Sequence, residues 1–90
     1  MSGEHRFQIV LSKTACKYYK RLDRKMVSRL DRAFEVLETD PFGAGDIKPI
    51  QGEEGKFRLR IGDLRVIYGI DFIKSQINIF AILPRGQAYK

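Results

Sequence analysis

Apolar and polar positions along this chain change their period twice, dividing it into a strand, two helices and a second run of strands. Phe7-Gln8-Ile9-Val10-Leu11 is short, apolar and partly β-branched between polar flanks, which predicts a strand. Behind it, Ala15, Tyr18, Tyr19 and Leu22 recur at three- and four-residue intervals, the spacing of one helix face, and predict a helix from Lys13 to Leu22 with Ser12 as its N-cap. From Arg24 to Glu38 the apolar positions Met26, Val27, Leu30, Ala33, Phe34 and Leu37 keep a helical period, with charged residues mostly elsewhere and Asp23 placed to cap the start. The Asp40-Pro41 step closes this helix, because proline disfavours helical backbone in the residue before it. Two amphipathic helices with almost no loop between them predict an antiparallel hairpin laid on an apolar surface.

After the glycine-bearing loop from Pro41 to Gly45 the pattern becomes that of strands. Ile47 to Ile50 reads as a brief edge strand, kept from the centre of a sheet by Pro49. Lys56 to Ile61, Leu64 to Phe72 and Gln76 to Leu83 follow as strands. Gly62-Asp63, in an order suited to a type II′ turn, and Lys74-Ser75 separate them. The economical arrangement is a single α+β domain over residues 1–90, with an N-terminal strand, a two-helix hairpin and a three- to four-stranded antiparallel meander packed on the helices.

Composition narrows the class. Ninety residues support one hydrophobic core, and a 43% hydrophobic content without low-complexity stretches is that of a folded chain rather than a disordered one. The single cysteine, Cys16, has no partner for an internal disulfide or a cysteine-rich zinc site and reads as a packing residue in a reduced compartment. No apolar run approaches the roughly 18 residues that span a bilayer, and no signal-peptide core is present, so a cytoplasmic protein without membrane association is expected.

Charge then changes the picture. Seventeen Lys and Arg against eleven Asp and Glu give a formal charge of +6, which makes polyanions natural partners. Strand alternation sets Phe57, Leu59 and Ile61 on one face and Lys56, Arg58 and Arg60 on the other. In the simplest hairpin register Arg65 joins this basic stripe, and Arg85, just past the last strand, lies at its rim. Guanidinium groups present forked, permanently charged donors that match phosphate oxygens. The alternative is a solvated outer sheet face whose cations block edge aggregation. Against it, only Asp63 interrupts the run, and Asp63 sits in the turn.

Tyr89, one residue from the end, either packs its ring on the sheet or stacks on a base and assists proton transfer, while Tyr68 within a strand reads as a core residue. His5 is the single histidine, so neither a paired-histidine ribonuclease mechanism nor a histidine-rich metal site can be assembled. No P-loop or dinucleotide fingerprint is present, and no cofactor or metal is expected. Glu53 and Glu54, beside Gly52 and Gly55, offer a carboxylate base or a solvated turn.

Strand, helical hairpin, Asp40-Pro41, Lys48-x-x-x-Gly52, then Phe57-Arg58-Leu59-Arg60-x-Gly62-Asp63-x-Arg65-Val66-Ile67-Tyr68 and finally Arg85-x-x-x-Tyr89 together resemble the RelE/ParE superfamily of type II toxin–antitoxin toxins, closest to its RelE branch. The resemblance covers nearly the whole chain. It implies a ribosome-dependent, metal-independent mRNA endonuclease, held inactive by a RelB-like antitoxin in a higher-order hetero-oligomer. That antitoxin would lie as an extended, helix-bearing segment across the hairpin and the sheet. Carried over by position, Arg58, Arg60, Arg65, Arg85 and Tyr89 would be catalytic, and Lys48, Lys56, Arg58 and Arg60 would bind RNA. The implied reaction is attack of a ribose 2′-hydroxyl on the adjacent phosphate, leaving a 2′,3′-cyclic product. The chain departs from the branch in carrying arginine at 58 and 60, where lysine is common. With a pKa above about 12 an arginine does not shuttle protons, which leaves Tyr89, Glu53, Glu54 or a ribosomal group as the base. The same scaffold also hosts gyrase inhibitors of the ParE kind and silent binding modules.

Overall fold

The computed structural model describes residues 6–86. Seven elements follow in order: β1 (Gln8–Leu11), α1 (Lys13–Arg21), α2 (Arg24–Thr39), β2 (Asp46–Pro49), β3 (Lys56–Ile61), β4 (Leu64–Asp71) and β5 (Gln76–Pro84). They form one five-stranded sheet in the order β1-β5-β4-β3-β2. Strands β2 to β5 make the expected antiparallel meander, while β1 lies parallel to β5, so the sheet is mixed. Because β1 and β2 occupy opposite edges, the helical hairpin that joins them must cross the sheet. It covers one face and leaves the other open.

Local chemistry sets the element ends. The Ser12 hydroxyl accepts from the Ala15 N–H at 3.0 Å and donates to the Phe80 carbonyl at 2.9 Å, capping α1 and fastening its start to β5. Asp23 caps α2 by accepting from the Met26 N–H at 2.9 Å, and the helix ends at Asp40, ahead of Pro41. Gly62 has φ 55° while Asp63 keeps a negative φ, the signature of the type II′ turn. The link between β4 and β5 differs from expectation, being four residues (Phe72 to Ser75) rather than two. The Asp71 carboxylate accepts from the N–H groups of Ile73 and Lys74 at 3.0 and 2.9 Å, drawing the chain out of the ladder one residue early.

The covered face holds the core. Leu30 and Leu37 of α2 meet Leu59, Val66, Tyr68, Ile77 and Ile79 of the sheet, all fully buried, and Ala15, Tyr18 and Tyr19 of α1, with Leu22 just after it, pack against them. Cys16, beside the buried Ala15, is a half-buried free thiol. Pairing shifts from Ile67↔Ala81 to Tyr68↔Ile79, which leaves Phe80 as a bulge residue on β5.

Tyr68 is a structural tyrosine. Its hydroxyl donates to the Pro41 carbonyl at 2.6 Å, tying the α2–β2 loop to the centre of the sheet. Burial, aided by the nearby Asp40 carboxylate, pushes its phenol up to about 12. The folded state therefore holds this proton more tightly than the unfolded chain, and stability is constant below the unfolded value of 10.0 and falls as pH rises from there toward 12. Urea midpoints are expected to decline over that alkaline window. The decline should be shallower in Tyr68→Phe, which itself costs about 1–2 kcal/mol at neutral pH through the lost hydrogen bond.

Candidate functional site

The open face of the sheet gathers the cations. β3 has alternately exposed Arg58 and Arg60 and buried Leu59 and Ile61, as period two requires. In the observed registers Arg60 stands directly across from Arg65 on β4, and Arg58 directly across from Lys48 on β2. These four side chains, with Asp46, line a single groove of about 140 Å³. Two cross-strand pairs of like charge sit side by side in it. Each such pair disfavours folding by up to about 1 kcal/mol, a repulsion that an anion in the groove would relieve.

The groove is not wholly without acid. Asp46 lies across from Arg60 in the β2–β3 ladder, with Oδ2 at 4.0 Å from a guanidinium nitrogen, so Asp63 is not the sole acidic neighbour of the stripe. An exposed pair of that length contributes little attraction, about 0–1 kcal/mol, and leaves Arg60 available. Sequence reasoning passed over Asp46, although the signal was present: it sits two residues before Lys48 and therefore shares its face of β2. Arg65 folds back over the β3–β4 turn, donating to the Leu64 carbonyl at 3.2 Å.

Other candidates stand apart. Lys56 is at the far end of β3, paired with Glu53 at 2.8 Å and with its ammonium 4.9 Å from the centre of the Phe80 ring. Glu53 and Glu54 line a separate groove with Gly52, Gly55 and Phe57, and neither borders the arginines. The backbone N–H of Arg85 donates to the Asp63 carbonyl at 2.6 Å, which holds that residue beside the turn preceding Arg65 while leaving its side chain exposed. Tyr89 and His5 lie outside the described residues.

Comparison with known proteins agrees with this architecture. Residues 9–89 match the family model described as the ParE toxin of the type II toxin–antitoxin system parDE. A protein of Methanocaldococcus jannaschii bearing the toxin name RelE1 is 31% identical over 87 residues, spanning 94% of this chain and 97% of the relative. Among solved structures, the archaeal RelE–RelB complex of Pyrococcus horikoshii superimposes with a TM-score of 0.80 at 26% identity, over 92% of this chain and 99% of its counterpart. The isolated E. coli RelE toxin shares the fold, with a TM-score of 0.74 at 15% identity over 91% and 87% of the two chains. The five-stranded sheet under a helical hairpin is thus a fold shared with known toxins, and this chain belongs to the RelE/ParE superfamily of type II toxin–antitoxin systems.

Proposed function

We propose that the open face binds messenger RNA in the ribosome and cuts it, which halts translation. The observation that carries this reading is the pairing of Arg60 with Arg65 and of Arg58 with Lys48 in one groove, with Asp46 as the one carboxylate that lines it. Cations set directly opposite one another repel in the free protein and are relieved when phosphate bridges them. In the proposed step the ribose 2′-oxygen attacks the adjacent phosphorus while the bond to the 5′-oxygen breaks. The 2′-hydroxyl proton goes to a base, the leaving oxygen takes up a proton, and the product carries a 2′,3′-cyclic phosphate. Arg58, Arg60, Arg65 and Arg85 are assigned to hold the phosphoryl oxygens as charge builds on them. Guanidinium donors fixed in place before the reaction are suited to this role. Tyr89, four residues beyond Arg85 in sequence, is assigned to stacking or proton transfer on the strength of the family resemblance alone.

The Pyrococcus relative is a complex with RelB. We extend that partnership to this chain, with a RelB-like antitoxin as its inhibitor. The edge strand β1 and the groove beside it offer such a partner a seat in which Ile9, Leu11, Tyr19 and Phe34 are joined by the carboxylates of Asp31, Glu35 and Glu38.

A second reading, poisoning of DNA gyrase without cleavage, is favoured by the ParE description of the matching family. Expression of the toxin in cells separates the two. Translation arrest with mRNA cut at ribosomes is the expected result, whereas blocked supercoiling with intact mRNA would select gyrase.

A further inference from the structure

A second groove opens on the helical side of the β3–β4 turn, lined by Arg29, Arg32, Ala33, Val36 and Ala44 together with Arg60, Ile61 and Gly62. Arg29 and Arg32 lie one turn apart on α2, and no carboxylate pairs with either among the described residues. The guanidinium of Arg29 rests against the hairpin turn, where a Cβ at position 62 would come within 2.7 Å of its nitrogen. Gly62 thus serves twice, supplying the positive φ of the turn and the room that lets a helix arginine reach the sheet. Arg60 belongs to both grooves.

We propose that this groove continues the RNA track. A single strand seated on Arg58, Arg60 and Arg65 passes Arg60, rounds the turn and places its following phosphates on Arg29 and Arg32, with a nucleobase lying on the apolar floor of Ala33 and Val36. The proposal rests on the RNA-binding reading of the sheet face and adds a second segment to it. Charge selects the occupant: three guanidinium groups around a small apolar floor match a strand that alternates phosphates with flat bases.

The test is binding of a fluorescein-labelled twelve-nucleotide 2′-O-methyl RNA, which the proposed reaction cannot cut, to the unaltered protein and to an Arg29→Ala/Arg32→Ala variant across a salt series. Losing two phosphate contacts should make the log–log salt slope shallower by about 1.4, at about 0.7 per phosphate for single strands. Affinity at low salt should fall by about a hundredfold or more, as expected for removal of two charged donors. A trinucleotide, too short to span both grooves, should bind the variant and the unaltered protein alike. Twelve-nucleotide binding that is unchanged in the variant but weakened by Arg58→Ala/Arg60→Ala would overturn the track and leave the sheet-face reading standing. Failure of the unaltered protein to bind the RNA at all would overturn the track, while the ribosome-bound reading of the sheet face stands or falls by mRNA cleavage on ribosomes.

Discussion

Replacing Arg65 by alanine is expected to slow RNA cleavage by about 10²–10³-fold, the usual consequence of removing one preorganised donor from a developing negative charge. The same substitution should leave the fold as stable as before, within about 0.5 kcal/mol, or slightly more so. Arg65 gives up a hydrogen bond to the Leu64 carbonyl, but its loss also ends the repulsion from Arg60 directly opposite. Activity and stability therefore part company at this position. A residue kept for folding would show the reverse, with both falling together. Single-turnover cleavage on programmed ribosomes, read beside urea unfolding, measures the two. Arg65→Lys should give an intermediate rate, because lysine keeps the charge and loses the two-pronged geometry.

The largest effect on stability is expected on the opposite face of the sheet, on the neighbouring strand β3. Leu59 is fully buried between the exposed Arg58 and Arg60, and its side chain meets the helical hairpin's core. Leu59→Ala should cost about 2–5 kcal/mol through lost transfer energy and the cavity left behind. For a domain whose total stability is about 5–15 kcal/mol, that is a large share. Equilibrium unfolding in urea gives the number directly, and a cost below about 1 kcal/mol would show that the sheet face is not held by this anchor. The two substitutions together describe one design. Inward leucine and isoleucine fix β3, and the fixed strand presents Arg58 and Arg60 and pairs with the strand that carries Arg65.

How much of this was legible beforehand depends on the range of the interaction. Period-two alternation over Lys56 to Ile61 is a local property, and it placed Arg58 and Arg60 on the open face correctly. The Gly62-Asp63 turn is equally local, and it set Arg65 near the stripe, while the register that puts Arg65 directly across from Arg60 is the fold's. The caps at Ser12 and Asp23 and the stop at Asp40-Pro41 also act within a few residues and appear where expected. Non-local features were not readable. Nothing in Phe7 to Leu11 states that the strand joins the far side of β5 in parallel, since that depends on how the hairpin crosses the sheet. The early exit of β4 at Asp71 and the bulge at Phe80 arise from a side chain competing for backbone amides and from two strands of unequal local length. Asp46 became a neighbour of Arg60 through β2–β3 pairing across fourteen positions of chain, and the groove that Arg29 shares with Gly62 joins elements farther apart still. Sequence logic therefore recovered the cations one by one, and the fold supplied their pairing.

The most direct test of the central claim is mapping of mRNA ends in a reconstituted translation system, with and without ribosomes, using purified toxin. The account predicts new mRNA ends only when ribosomes are present, with 2′,3′-cyclic phosphate on the upstream fragments and loss of those ends in Arg65→Ala. Intact mRNA at toxin concentrations that block gyrase supercoiling would contradict it.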